Sequence, residues 1–101
     1  MADEYVNEVS DAADLEADQI FLWLLDKSPD TAHHWYRGLL DSYQSLAIFP
    51  YRNPEIENLP GVRRMLFGKY RVLYRVVEPA IENDYPTVRI MHVYHGARQP
   101  G

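Results

Sequence analysis

Aromatic and β-branched residues recur at every second position from Tyr70 to Val76, within the eight residues Tyr70 to Val77. Tyr70, Val72, Tyr74 and Val76 fall on one side, Arg71 and Arg75 on the other. A period of two, rich in aromatic and β-branched types, predicts a strand with one buried face. The other face carries two guanidinium groups in line, roughly 13 Å apart at ~3.3 Å per residue. Before it, the spacing changes to three and four. Ala13, Ala17, Ile20, Trp23 and Leu24 predict one face of a helix that starts at the Ser10-Asp11 cap and runs to about Lys27. Phe21, Leu22 and Leu25 lie off that stripe, so the last turns are apolar almost all round. Ser28-Pro29-Asp30 starts a second helix, with a cap, a proline in the first turn and an acid after it. Its apolar face is Ala32, Trp35, Tyr36, Leu39, Leu40, Tyr43, Leu46 and Ala47, and it ends at Phe49-Pro50.

The remaining segments are shorter. Tyr5–Val9 is a candidate first strand. Residues 50–61 read as a loop with prolines at 50, 54 and 60. Val62–Phe67 is a strand, Gly68-Lys69 a tight turn, and Thr87–His95 the last strand. That strand has Val88 and Ile90 on one side and Arg89, Met91 and Val93 on the other, which predicts a central position covered on both faces. The expected order is β-α-α-β-β-β, an α+β fold. A helical hairpin packs on a curved antiparallel sheet and leaves the arginine-bearing face partly open.

A length of 101 residues predicts a single domain over residues 1–101. With 47% apolar residues the chain is expected to fold, and no apolar run is long enough for a membrane span. Met1-Ala2-Asp3-Glu4 is acidic and does not read as a secretory leader. The expected location is the cytoplasm. The absence of cysteine excludes disulfides and thiolate zinc sites. His33 and His34 are neighbours on a helix with no acid or third histidine three or four residues further along, so no metal and no cofactor are expected. The net charge of −5 is unevenly divided. Residues 1–50 carry two basic residues against ten acidic ones, and residues 51–101 carry eight against five. An acidic helical half joined to a basic strand half permits a local anionic partner. It argues against strong non-specific nucleic-acid binding by the whole molecule.

Glycine-rich phosphate loops, nucleophile elbows and paired metal-binding histidines are absent from the sequence. What remains is a set of cations on the last three strands and the tail: Arg63, Arg64, Lys69, Arg71, Arg75, Arg89, His92, His95 and Arg98. Arginine clamps phosphate and histidine exchanges protons near neutral pH. Such a set is sufficient for phosphodiester cleavage by an RNA's own 2′-hydroxyl. His95 reads equally well as a structural residue at a strand end.

Five segments together resemble the RelE/ParE superfamily, toxins of bacterial type II toxin–antitoxin pairs. They are Ser28-Pro29, Leu46-Ala47-Ile48-Phe49-Pro50, Leu59-Pro60-Gly61-Val62-Arg63-Arg64, Gly68 to Val76, and Val93-Tyr94-His95-Gly96-Ala97-Arg98. The resemblance implies a growth-inhibiting toxin neutralised by a cognate antitoxin, with operator DNA bound only through the antitoxin. It divides the activity. RelE-like members are ribosome-dependent mRNA endoribonucleases (mRNA interferases); ParE-like members act against DNA gyrase by binding. If RelE-like, the catalytic residues are Arg71, His95 and Arg98; on either reading Arg63, Arg64, Lys69 and Arg75 are expected to contact target or phosphate. The chain lacks the terminal tyrosine and the paired lysines of RelE-like enzymes, and it is acidic. Its His-Gly-Ala-Arg ending is similar to ParE-type and plasmid-stabilisation members. The expected function is therefore ParE-like gyrase inhibition. The alternatives are RelE-like cleavage, or an inactive member kept as an antitoxin-binding partner. Whether the chain is an enzyme stays open here. The antitoxin is expected on Phe21, Leu22 and Leu25 or on the basic sheet face.

Overall fold

One serine joins the two helices. Ser28 donates its backbone N–H to Leu24 O at 2.8 Å, ending α1 (Asp11–Lys27), and its Oγ accepts from Thr31 N–H at 3.4 Å, beginning α2 (Pro29–Ile48). Ser10 caps α1 in the same way, accepting from Ala13 N–H at 3.0 Å. These details come from a computed structural model that describes residues 4–81 and 84–97. The strands are β1 (Val6–Val9), β2 (Glu55–Ile56), β3 (Leu59–Phe67), β4 (Tyr70–Val77) and β5 (Thr87–His95).

The two helices pack on one face of an open five-stranded sheet of order β1-β5-β4-β3-β2. The last four strands pair antiparallel and β1 pairs parallel to β5, so the sheet is mixed. The core lies between the layers. Leu39, Leu46 and Tyr43 of α2 and Ala13 and Ala17 of α1 meet Met65, Val72, Tyr74, Val88, Ile90 and Val93. The apolar side of β4 is buried as predicted, with Val72 and Tyr74 fully buried under the helices, but Leu73 between them is buried as well, on the opposite face.

Three features depart from the sequence pattern. First, the proline-rich stretch 50–61 is not all loop. β2 and the start of β3 form a tight hairpin in which Ile56 faces Leu59. Asn58 turns it with φ 73°, a left-handed conformation that asparagine tolerates better than most residues. Second, β5 contains a bulge: Leu73 pairs with His92 but Tyr74 pairs with Ile90. The extra residue, Met91, resets the alternation, so Val93 joins Val88 and Ile90 on the helix-covered face. The mixed polarity of β5 therefore marks a bulge and not two covered faces. Third, Trp23 belongs to the apolar stripe of α1 yet is 57% exposed. Its ring carries Lys27 Nζ at 4.7 Å.

Where β1 ends, α1 takes over the edge of β5. Ser10 Oγ donates to Met91 O at 2.9 Å, and Glu16 Oε1 accepts from Val93 N–H at 3.1 Å. The same carboxylate meets His92 Nδ1 at 3.2 Å. A second set of bonds ties down the chain after α2. Tyr74 OH donates to Pro50 O at 2.6 Å, and Asn53 Nδ2 donates to Tyr74 OH at 3.2 Å.

A carboxylate clasp joins three distant segments at the surface. Tyr5 OH and Tyr51 OH donate to Glu78 Oε1 at 2.6 and 2.5 Å. The two phenols hold the Glu78 carboxyl below its ordinary value of 4.5, and Glu78 holds both phenols above 10. The depressed carboxyl stabilises the fold above pH 4.5, and that contribution is lost as pH falls through its lower folded value. The raised phenols contribute below pH 10 and lose their contribution as pH rises beyond it. Glu78→Gln is expected to flatten the acid limb of a plot of urea midpoint against pH. An unchanged acid limb in the variant would exclude the clasp as its source.

Candidate functional site

Alternation and register place the cations on two different faces of the sheet. Val62 faces Arg75, Arg64 faces Leu73 and Leu66 faces Arg71, while Arg63 faces Tyr74. Across the other side of β4, Arg71 faces Tyr94, Leu73 faces His92 and Arg75 faces Arg89. Arg64, Arg71, Arg75, Arg89, His92 and Tyr94 thus share the face that no helix covers. Arg63 is on the helix-side face. Its Nη1 donates to Asn53 O at 2.5 Å and Tyr51 O at 3.4 Å, and its guanidinium stacks 5.0 Å from the Tyr51 ring centre. It serves to hold the loop after α2.

The arginines of the open face differ in their surroundings. Arg75 and Arg89 are directly opposite, an arrangement that is unfavourable for like charges. Glu8 relieves it by accepting from Arg89 Nε at 3.0 Å. Arg75 itself lies over Gly61, where an added Cβ would sit 2.8 Å from its Nη1. Arg71 folds back over the β3–β4 turn, with Nη1 donating to Gly68 O at 3.2 Å and Tyr70 O at 2.9 Å. Gly96 covers it: a Cβ there would stand 2.9 Å from the Arg71 Cζ and 3.1 Å from Lys69 O. Among the described residues no acid pairs with Arg64, Arg71 or Arg75. Lys69 is exposed in the turn, and its carbonyl accepts from Gly96 N–H at 2.7 Å.

His95 faces Tyr70, one position along from Arg71, and so lies on the opposite face of the sheet from Arg71. Its ring stands edge-on to Tyr70 at 5.4 Å, and its Nδ1 accepts from Ala97 N–H at 3.0 Å. Arg98 lies outside the described residues. The face that holds Arg71 instead contains Tyr94 and the His92–Glu16 pair. Alternation from Arg71 through a register would have found them, but register is a property of two strands and is not written in either one.

On the helix side, an open groove of ≈ 510 Å³ runs between the α1–α2 corner and the β3–β4 turn. It is mostly apolar and is lined by Trp23, Trp35, Phe67, Tyr70, His95, Lys27 and Lys69 among others. Of the residues expected to receive an antitoxin, Phe21 stacks within the hairpin on His33 and Tyr36 at 5.3 and 5.6 Å. Leu25 is half-buried and Leu22 is 61% exposed. Among the described residues no three histidine or acidic side chains gather as a metal site, and no helix is long and apolar enough to cross a membrane.

The architecture has solved counterparts. The chain is similar to a structure of the chromosomal ParDE toxin–antitoxin system from P. aeruginosa, with a TM-score of 0.73 and 14% identity over 91% of this chain and 96% of that one. It is also similar to a chain of the RelBE2 toxin–antitoxin complex from Mycobacterium tuberculosis. There the TM-score is 0.58 and the identity 22%, over 92% of this chain and 99% of that one. A search of curated proteins finds no match. At these identities the likeness establishes the fold, two helices on a sheet with one bare face. The sequence itself matches the family model for the ParE toxin of the type II toxin–antitoxin system parDE across residues 8–100, so the chain belongs to the ParE toxin family.

Proposed function

We propose that this chain is the growth-inhibiting toxin of a type II pair, that it acts by binding DNA gyrase, and that a cognate antitoxin neutralises it. The observation that carries the reading is the family match over residues 8–100. The placement of Arg71 and His95 on opposite faces adds support, because it separates the expected phosphate clamp from the expected proton carrier. A binding inhibitor needs no such convergence. The site for gyrase is the bare face of the sheet, where Arg64, Arg71 and Arg75 have no acid partner among the described residues.

The second reading, ribosome-dependent cleavage of messenger RNA, is favoured by one observation: Arg71 shares its face with Tyr94 and the His92–Glu16 pair. Purified chain added to a plasmid supercoiling reaction separates the two. Loss of supercoiling is expected with gyrase. Full supercoiling, together with cuts on ribosome-bound message in a reconstituted translation reaction, would overturn the gyrase reading in favour of cleavage.

A further inference from the structure

We infer that Arg64, Arg71 and Arg75 form a binding surface for the phosphate backbone of duplex DNA, so that the toxin engages its target together with the DNA the target holds. The inference rests on the gyrase reading and adds a second ligand to it. Three guanidinium groups on one face have no acid partner among the described residues, whereas Arg89 is neutralised by Glu8 and Arg63 is held under the loop after α2. Arg71 and Arg75 lie on β4 with Leu73 between them, and Arg64 faces Leu73 from β3. At ~3.3 Å per residue and ~4.8 Å between strands, the three span roughly 13 by 5 Å. That span matches a short run of backbone phosphates, which rise ~3.4 Å per nucleotide along the helix axis on each strand.

The shape of the face selects the ligand. A peptide docks in a groove or on a free strand edge; the apolar groove beside the β3–β4 turn is on the opposite side of the sheet, and the outermost strands, β1 and β2, carry none of these arginines. Single-stranded nucleic acid binds by stacking bases on exposed aromatic rings. The one aromatic side chain that the register places among these arginines is Tyr94, which is half-buried. Backbone phosphates require neither a groove nor a ring, only donors within reach. Arg71 is already anchored through Nη1 to Gly68 O and Tyr70 O, so less side-chain freedom is lost on binding. The net charge of −5 keeps the affinity for free DNA weak, so binding is expected to be measurable at low salt.

The test is fluorescence anisotropy of the full chain with a short labelled duplex over a salt series, beside a single strand of the same length and a polyglutamate peptide. With three phosphate contacts the slope of log K against log salt is expected to be about −2.7. Arg64→Ala, Arg71→Ala and Arg75→Ala should each reduce the slope by about 1. Lys27→Ala, on the groove side, should leave it unchanged. Circular dichroism of each variant separates loss of contact from loss of fold. Binding of polyglutamate alone, preference for the single strand, or a slope unaffected by the arginine variants would overturn the inference. Gyrase inhibition without duplex binding would also overturn it while the gyrase reading stands. Duplex binding without gyrase inhibition would support the surface and remove the gyrase reading.

Discussion

Tyr74→Ala is expected to leave no cooperatively folded protein, whereas Tyr74→Phe is expected to fold with a loss of about 1–3 kcal/mol in urea unfolding. Tyr74 is fully buried at the centre of the sheet. Removing a buried aromatic ring destabilises by about 3–5 kcal/mol, and a typical domain has only ~5–15 kcal/mol in total. The alanine variant also strands the Pro50 carbonyl, which receives the Tyr74 hydroxyl at 2.6 Å, and frees Asn53, whose side chain donates to that hydroxyl. The phenylalanine variant keeps the ring and loses only these bonds. Its loss should therefore be local as well as global. Hydrogen exchange should accelerate first in residues 50–54, the segment the hydroxyl holds against the sheet. A phenylalanine variant as stable as the parent would mean that water satisfies Pro50 equally well.

Growth arrest is expected to fall by roughly 100-fold or more, measured as recovered viable count, when Arg71→Glu and Arg75→Glu are combined. A charged hydrogen bond contributes about 1.5–3 kcal/mol, and each ~1.4 kcal/mol is a factor of ten in affinity. Two such losses, with repulsion added, exceed that factor. The fold should survive, because Arg71 and Arg75 lie on the face away from the core and have no acid partner among the described residues. The reversal also removes the unfavourable pairing of Arg75 with Arg89. Trp23→Ser, in the groove on the other side, should leave arrest intact. Undiminished arrest in the arginine double variant would move the target contact away from the sheet, with the groove then the first surface to mutate.

The local elements of this molecule are legible in its sequence, and their long-range relations are not. Ser10 and Ser28-Pro29 mark the helix starts by capping chemistry that acts over three residues, and the alternation of β4 depends on nothing outside the strand. The bulge at Met91 exists only as a mismatch between two strands, so β5 by itself reads as doubly covered. The hairpin at Glu55–Leu59 was hidden by its prolines, although Asn58 carried the turn signal. The same limit governs the site. That Arg71 and Arg75 share a face follows from their spacing. That His95 faces away from them follows only from its pairing with Tyr70. Arg63 and Arg64 are adjacent in sequence, and adjacent residues on a strand point to opposite faces. One of them holds a loop and the other is exposed.

The parallel pairing of β1 with β5 bears on when, during synthesis, the fold can first form. Glu8 and Arg89, joined across these strands, are 81 positions apart. The earliest strand cannot close onto the sheet until β5 has left the ribosome. β5, the strand that β1 joins, also supplies three core side chains, Val88, Ile90 and Val93. Contacts this distant in sequence slow folding, because a long loop must be ordered before they form. A nascent or truncated chain that stops before Thr87 therefore has helices and a hairpin but no completed sheet. The sheet is complete only after β5 has been synthesised, and a product that stops short of Thr87 lacks three of its core side chains.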